Sequence, residues 1–205
     1  MSCNHNLEIK NVSSGYAKNI IIDDVNIRIP NNKISVIIGA NACGKSTLLK
    51  TMSRLIKPAT GDIVLDGKSI HKYQPKKLAR VLGLLPQSPI VPEGITVVDL
   101  VARGRFPYQS FIKGYSHEDY EVIENALEMM GITDISKCSV DELSGGQRQR
   151  VWIAMALAQQ PDILLLDEPT TYLDITHQIE ILDLLADLNN TKKMTIIMVL
   201  HDINL

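Results

Sequence analysis

Several features that mark other classes of protein are scarce in this sequence. The three cysteines, Cys3, Cys43 and Cys138, are scattered without CxxC spacing, so the sequence suggests neither a disulfide framework nor a zinc site, and a reducing cytosol fits. The net charge of -2 provides no basic field of the kind that gathers nucleic acid, so we expect no nucleic-acid partner. Aromatic residues are only 4% of the chain, which makes their clustering in one segment, described below, informative.

The sequence also contains no apolar run with the length of a membrane-spanning helix and no signal-like start. The longest apolar runs, such as MTIIMVL, are far shorter than the roughly 18 residues that a spanning helix needs. The start, MSCNHNLEIK, has no cationic stretch followed by an apolar one, so no secretory signal is expected. Any membrane contact is therefore expected to run through a partner.

The distribution of apolar residues predicts a single α/β domain. Continuous apolar runs at 34–38, 163–167 and 195–200 predict parallel strands that are covered on both faces. The alternation of Val25, Ile27 and Ile29 predicts a half-buried antiparallel strand. Helical spacing is present in two sets, which are Leu48, Leu49, Met52, Leu55 and Ile56, and Ile175, Ile179, Leu182 and Leu185.

The middle of the chain has a different character. No buried strand run is present at 88–138, whereas Ser116 and Asp119 form a plausible capping pair for a helix that ends before Gly131. This pattern predicts a helical insertion subdomain at 88–138 between two parts of an α/β core, 1–87 and 139–205.

The segment GANACGKST at 39–47 matches G-x-x-x-x-G-K-[ST] and lies between a predicted strand and a predicted helix, the context that a phosphate-binding loop requires. Backbone N–H groups of such a turn surround phosphate oxygens, and the helix N-terminus adds a favourable partial charge. The alternative is a glycine-rich turn with an incidental lysine. The motif predicts an ATP site formed by Gly39, Asn41, Ala42, Cys43, Gly44, Lys45, Ser46 and Thr47. Lys45 is expected to reach the β and γ phosphates, Ser46 the Mg²⁺, and Thr47 the α phosphate.

Cys43 is interpreted as a small filler of the loop rather than a nucleophile, because no histidine is near it in sequence. A thiol at a helix start can still be reactive. We expect alkylation of Cys43 to block ATP binding and bound ATP to protect the thiol.

Two adjacent acids, Asp167 and Glu168, follow the apolar run ILLL. Because side chains alternate between the faces of a strand, the two carboxylates are expected to have different roles. Asp167 is the better partner for Mg²⁺, and Glu168 is the better candidate to polarise an attacking water. His201 follows the next buried run, so it is expected at the same sheet edge, near the γ phosphate. The alternatives are a solvated acidic strand end and a structural histidine.

A second pair of glycines occurs in LSGGQRQR at 143–150, before the helix-like VWIAMALAQQ. This helix start has no lysine and cannot be an independent phosphate-binding loop. It is either a capped helix start or part of a site that another subunit completes.

Together these segments resemble the ATP-binding cassette subunits of ABC transporters. The order is that of the family: GANACGKST, Gln87 in LLPQ, LSGGQRQR, ILLLDEP, TYLD and His201 in LHD. The resemblance implies an α/β fold, with a P-loop NTPase core of mainly parallel sheet, an N-terminal antiparallel β portion and a helical insertion subdomain. It also implies that the C-terminal part of the usual fold is missing, because family members continue beyond the position of His201.

The resemblance further implies roles for particular residues. Tyr16 would stack on adenine, and Gln87 would sense Mg²⁺ and the attacking water, so that the metal set is Ser46, Gln87 and Asp167. The signature residues Ser144, Gly145, Gly146 and Gln147 would contact the ATP bound by the other subunit, with Asp174 beside that interface. Two ATP molecules would be enclosed in a head-to-tail homodimer.

Two segments, ITVVDLVARGRFPYQ and THQIEILDLLADL, are similar to importers of ferric siderophores, haem or cobalamin. This similarity implies integral membrane permease subunits as partners, an indirect link to a substrate-binding protein, and a peripheral position on the cytoplasmic face of the cell membrane. The alternatives are a soluble cassette ATPase of nucleic-acid, ribosome or iron–sulfur function, and an exporter with a separate ATPase chain.

The aromatic residues of the insertion favour an interface. Aromatic residues and arginine are common in protein interfaces, so this segment is either a permease-docking surface or internal packing. The residues are Arg103, Arg105, Phe106, Tyr108, Phe111, Tyr115 and Tyr120.

One departure from the family pattern concerns the loop itself. Ala40 and Ala42 stand where many members have proline and glycine. A positive φ at Ala42 is therefore expected to be strained.

Overall fold

The computed structural model describes residues 4–17, 19–87, 91–110, 114–171 and 173–200. The strands are β1 (Leu7–Tyr16), β2 (Asn19–Arg28), β3 (Ile34–Ile37), β4 (Thr60–Leu65), β5 (Lys68–Ser69), β6 (Leu82–Leu85), β7 (Ile163–Asp167) and β8 (Thr195–Val199). The helices are α1 (Lys45–Met52), α2 (Pro75–Val81), α3 (Val97–Ala102), α4 (His117–Met129), α5 (Gly145–Ala158) and α6 (Ile175–Lys192).

A parallel sheet in the order β3-β8-β7-β6 forms the centre of the molecule. Every residue of β7 and β8 is buried, which confirms the prediction from their continuous apolar runs. Successive side chains enter opposite cores: Leu164 and Leu166 pack with α3, α4 and α5, whereas Ile163 and Leu165 pack in the core that contains α1. The carboxyl ends of these two strands lie side by side, with Asp167 paired to Val199.

The first strand of this sheet is less covered than its sequence predicts. Val36 is 47% exposed and Ile38 is 52% exposed, so the expectation that 34–38 is covered on both faces is wrong. The physical reason is position, because β3 is at the edge of the sheet and, among the described strands, pairs only with β8.

A second, antiparallel sheet in the order β2-β1-β4-β5 confirms the N-terminal antiparallel portion. The predicted alternation lies in and just after β2. Ile29 is buried and Val25 is partly buried, but Ile27 is 39% exposed, so only part of the half-buried pattern is correct.

Helices dominate the described part of 88–138. Helices α3 and α4 pack on each other and on α5, and Ser116 and Asp119 form the expected capping box at the start of α4. In this stretch the described residues make a single isolated β-bridge, Thr96 to Ser139. The boundaries of the insertion remain a prediction.

Helix α6 confirms the helix predicted from the spacing of Ile175, Ile179, Leu182 and Leu185, but only part of that set lies in the core. Its buried residues are Ile181, Leu185 and Leu188, whereas Ile175 is 69% exposed and Ile179 is 51% exposed. Leu182 and Leu185 of the predicted set pack in the core, so helical spacing identified the helix but only part of its buried face. Among the described residues, no helix combines the length and apolarity needed to cross a lipid bilayer.

Candidate functional site

The predicted phosphate-binding turn lies between β3 and α1, at the carboxyl edge of the parallel sheet. Gly44 is the N-cap of α1 and has a φ of 98°. A Cβ at this position would lie 2.7 Å from Cγ2 of Ile22 and 3.0 Å from Cγ2 of Ile21, so both space and backbone conformation require glycine. The first turn of α1 contains no acidic residue, which leaves its N-terminal N–H groups suited to an anion.

Ala42 has a φ of 61°. This left-handed conformation costs an L-residue with a Cβ about 1 kcal/mol. The strain expected at Ala42 is therefore present in the turn.

Lys45 closes the turn on itself. Its side chain is buried, and Nζ donates hydrogen bonds of 2.9 Å to the carbonyl oxygens of Gly39 and Ala40. Two backbone carbonyl oxygens thus hold the ammonium group within the turn, where a polyphosphate could accept hydrogen bonds from it.

Ser46 and Asp167 meet although 121 residues separate them, and the hydroxyl of Ser46 donates a hydrogen bond of 2.8 Å to Oδ1 of Asp167. Burial raises the pKa of the Asp167 carboxyl, and the bond from Ser46 and the nearby Lys50 and Lys45 only partly offset this effect. A hydroxyl and a carboxylate are hard oxygen ligands, which fit Mg²⁺ in combination with substrate phosphates.

Glu168 has different partners from Asp167, but strand alternation is not the reason, because Glu168 lies just after the end of β7. Its Oε2 accepts hydrogen bonds from the side-chain amide of Gln87 at 2.6 Å and from the hydroxyl of Thr171 at 2.9 Å. Its φ is 53°, a strained value that is typical of functional sites. Gln87 thus contacts the candidate base rather than Asp167, and Thr171 is a candidate site residue that the sequence reasoning missed.

A cavity of about 530 Å³ lies between the phosphate-binding turn and Glu168. It is lined by Ile21, Asn41, Ala42, Gly44, Lys45, Ser46, Thr47, Gln87, Glu168 and Thr171. Eight of these ten residues are predicted site residues. Ile21 and Thr171 are the additions. In the sequence Ile21 is one apolar residue among several, and only the structure shows that it is 39% exposed.

Three predicted nucleotide-binding residues, Tyr16, Gly39 and Cys43, are not part of the cavity lining. Tyr16 ends β1, pairs with Asn19 and is 49% exposed. Cys43 is exposed, and its Sγ lies against Gly39, where a Cβ would be only 2.9 Å from the sulfur.

The signature residues begin α5. Ser144 is the N-cap, and it forms a capping box with Gln147 through bonds of 3.3 and 3.1 Å. None of the four signature residues lines the cavity of the same chain. This separation is what a site completed by a second subunit requires.

Asp174 is the N-cap of α6 and is exposed. The backbone N–H of His177 and its ring N–H hold the pKa of the Asp174 carboxyl below its usual value. His201 lies outside the described residues.

Comparison with known proteins gives consistent results. The sequence profile described as ABC transporter matches residues 22–171. The chain is 56% identical over 199 residues to the petrobactin import ATP-binding protein FpuD of Bacillus anthracis, an alignment that covers 97% of this chain and 73% of that protein. It is 52% identical over 190 residues to the ferric enterobactin transport ATP-binding protein FepC of Escherichia coli K12, covering 93% of this chain and 70% of that protein. The dimeric structure of the bacterial ABC transporter cassette MJ0796 is 30% identical with a TM-score of 0.82, and the match covers 97% of this chain and 89% of that chain.

Proposed function

The chain belongs to the ABC transporter family, and we propose that it is the ATP-hydrolysing subunit of an importer for ferric siderophores. ATP hydrolysis coupled to transport is the general activity of this family. The names of the relatives from Bacillus anthracis and Escherichia coli support this assignment, since they refer to petrobactin import and ferric enterobactin transport. Haem or cobalamin is the alternative cargo of similar importers.

The observation that carries this proposal is the contact between Ser46 and Asp167 beside the phosphate-binding turn. It joins the residue after the motif lysine to Asp167, the last residue of the strand that Glu168 directly follows. Ser46 and Asp167 would hold Mg²⁺, which would neutralise charge on the β and γ phosphates. Lys45 would donate to the same phosphates in place of the carbonyl oxygens of Gly39 and Ala40.

Glu168 is the proposed base that orients and polarises the attacking water. Gln87 and Thr171 hold its carboxylate through Oε2, which leaves the second oxygen for the water. The cavity adjoins Ile21, whose side chain is partly exposed and is suited to an apolar contact with the base or ribose of the nucleotide.

Two copies would enclose two ATP molecules, with the signature residues of each copy on the phosphates bound by the other. The dimeric cassette structure supports this arrangement. ATP binding would close the dimer and move the permease helices, and hydrolysis would reset it. The chain would then work at the cytoplasmic face of the membrane, next to its permease and indirectly linked to a substrate-binding protein.

The decisive test of the base is Glu168→Gln, a nearly isosteric change that removes the carboxylate. Because general bases contribute about 10²- to 10⁴-fold to rates, we expect ATP hydrolysis to fall at least about a hundredfold while ATP binding persists. Near-normal hydrolysis by this variant would remove Glu168 from the role.

The partner is tested separately by copurification from cells that express the chain with its permease. Recovery of a polytopic membrane protein supports the importer. Recovery of nucleic acid or ribosomes instead would favour the soluble cassette alternative. Loss of siderophore uptake after deletion, measured with radioactive iron, distinguishes import from export.

A further inference from the structure

The side chain of His177, in the first turn of α6, lies against the signature glycine Gly146 in the first turn of α5. A Cβ at Gly146 would be 2.8 Å from Cδ2 of the imidazole and 3.3 Å from its Cγ and Nε2. Real Cβ atoms essentially never approach a neighbour as closely as 2.8 Å. The absence of a side chain at Gly146 therefore allows the ring to rest directly on the signature backbone.

Asp174 fixes the orientation of this ring. Nδ1 of His177 lies 2.8 Å from both carboxylate oxygens of Asp174. Because a carboxylate only accepts hydrogen bonds, Nδ1 carries the hydrogen atom and is the donor. The backbone N–H of His177 donates to the same carboxylate at 2.9 Å. Asp174, His177 and Gly146 thus form one continuous chain of contacts from the start of α6 to the start of α5.

A second contact lies about one turn further along both helices. The guanidinium of Arg150 is 2.7 Å from the carboxylate of Glu180 and also donates to the carbonyl oxygen of Met130 at 3.2 Å. The two helices are therefore joined at successive turns, and the contact at Gly146 is the one at the signature itself. The side chains of His177 and Asp174 are 46% and 65% exposed, so both are accessible to a second copy of the chain.

We propose that His177 is a positioning residue that fixes the signature turn relative to Asp174, so that both meet the second copy and its ATP as one rigid unit. This role rests on the proposed function, in which Ser144 to Gln147 contact the ATP of the other subunit. His177 does not line the phosphate cavity of its own subunit. It acts through the position of Gly146 and through the orientation of Asp174.

The role is tested in full-length protein that carries Glu168→Gln, in which ATP is bound but turns over slowly, so that the ATP-driven dimer accumulates. His177→Ala removes both the ring and the donor, His177→Leu keeps bulk without the donor, and His177→Asn keeps a donor for Asp174. Dimerisation is measured by sedimentation with Mg²⁺-ATP. Binding within one subunit is measured with a fluorescent methylanthraniloyl-ATP in the absence of Mg²⁺.

We expect His177→Ala and His177→Leu to weaken dimerisation about tenfold, the loss expected for one hydrogen bond to a charged group. His177→Asn should restore it to within about threefold, and all three should bind the fluorescent nucleotide as the parent does. His117 provides the matched control, since it is an 89% exposed helical histidine with its own carboxylate partner, Glu121, at 3.3 Å. His117→Ala should leave both measurements unchanged.

Other outcomes overturn the role. If all His177 variants dimerise like the parent, or if they also lose the fluorescent nucleotide, His177 does not position the signature. If the Glu168→Gln parent binds nucleotide but never dimerises with Mg²⁺-ATP, the proposed two-subunit site fails and the role fails with it. If the parent does not bind nucleotide, the proposed function itself fails.

The contact has an independent, ligand-free test in the free energy of unfolding. Gly146→Ala alone should increase the unfolding equilibrium constant about two- to fivefold, because the new methyl group displaces the ring and breaks its hydrogen bond to Asp174. In a protein that already carries His177→Ala, Gly146→Ala should lower the unfolding equilibrium constant, because alanine has a higher helix propensity than glycine. Equal effects of Gly146→Ala in both backgrounds would show that His177 does not contact Gly146.

Discussion

The hydroxyl of Ser46 and the carboxylate of Asp167 form a hydrogen bond of 2.8 Å across the edge of the parallel sheet. This bond keeps two oxygen ligands together, yet it also keeps a carboxylate in a buried position. Burial raises the pKa of Asp167, so the ionised form that metal binding requires is disfavoured in the fold. The site thus gives up stability for function.

Asp167→Asn should therefore stabilise the ligand-free protein. A group whose pKa is raised by folding stabilises the fold only while protonated, and that stability is lost as the pH rises through the raised value. The gain from Asp167→Asn should be about 1 kcal/mol, or about 3 °C in Tm, at neutral pH, and should vanish below the usual pKa near 3.8.

Thermal unfolding across a pH series measures this effect, and the same variant should lose the stabilisation that Mg²⁺-ATP gives the unmodified protein. A lower Tm for Asp167→Asn at neutral pH would contradict the burial argument.

Ala42→Gly should relieve the strain of the left-handed conformation at Ala42. Part of the gain is offset because glycine adds freedom to the unfolded chain. Ala40 is the matched control, since it lies in the same turn and is not among the described residues with positive φ. Ala40→Gly carries the entropy cost alone, so urea unfolding should find Ala42→Gly more stable than Ala40→Gly by about 1 kcal/mol. Equal stabilities would show that the strain is absent.

Thr171→Val should lower kcat for ATP hydrolysis about five- to tenfold and leave KM nearly unchanged. The change removes the hydroxyl that donates to Oε2 of Glu168 and keeps the volume of the side chain. Thr171→Ser should retain most activity. Thr191, whose hydroxyl donates to the carbonyl oxygen of Asp187 at 2.7 Å, is the control, and Thr191→Val should have wild-type kinetics. A fall in kcat shared by Thr171→Ser and Thr171→Val would point to general damage instead.

Alkylation of Cys43 with N-ethylmaleimide should block ATP binding, and bound ATP should protect the thiol. The thiol is exposed, and its sulfur lies against Gly39, so an added group would enter the phosphate-binding turn. The experiment uses a variant that keeps Cys43 alone and a control with Cys43→Ser that keeps the other cysteines. Normal nucleotide binding after complete modification of Cys43 would argue against placing the phosphates in this turn.

Phe106→Ala should weaken assembly with the permease and leave ATP binding intact. The aromatic and arginine residues of the insertion differ in exposure. Phe106 is 65% exposed, whereas Arg105 is buried and its Nε lies 2.7 Å from Oδ1 of Asp119. Arg105→Ala is therefore the contrasting change, expected to cost about 3–5 kcal/mol of stability, since it leaves a buried carboxylate without its partner. Unfolding of Phe106→Ala to a similar extent would favour internal packing over docking. Phe111 lies outside the described residues.

The sequence predicted contacts well where short-range chemistry or strand polarity decides them. Asp167 and Ser46 were expected together because both were assigned to the same Mg²⁺, Ser46 by the phosphate-binding motif and Asp167 as the acid at the end of a strand. The capping pair of Ser116 and Asp119 was predicted from local spacing, because the partners are three positions apart.

Choices among equivalent patterns were not predictable. Helix α6 has apolar residues at helical spacing along more than one stripe, so periodicity alone could not exclude Ile175 and Ile179 from the core. The apolar run of β3 has the composition of a covered strand. Its exposure depends on its position in the sheet and on the elements that pack against it, and the sequence alone does not specify either. The contact of Thr171 with Glu168 depended on the turn after β7 and on the strained φ of Glu168.

By itself, the sequence determined the phosphate-binding turn, the acidic strand end, the signature and the family, because each is a local pattern whose chemistry needs those residues at those spacings. Only the tertiary structure decided which oxygen of Glu168 is held, which aromatic side chains face solvent, and that His177 rests on Gly146. Those contacts join residues distant in sequence or separate helices, and their geometry depends on how sheets and helices pack, which no local pattern encodes.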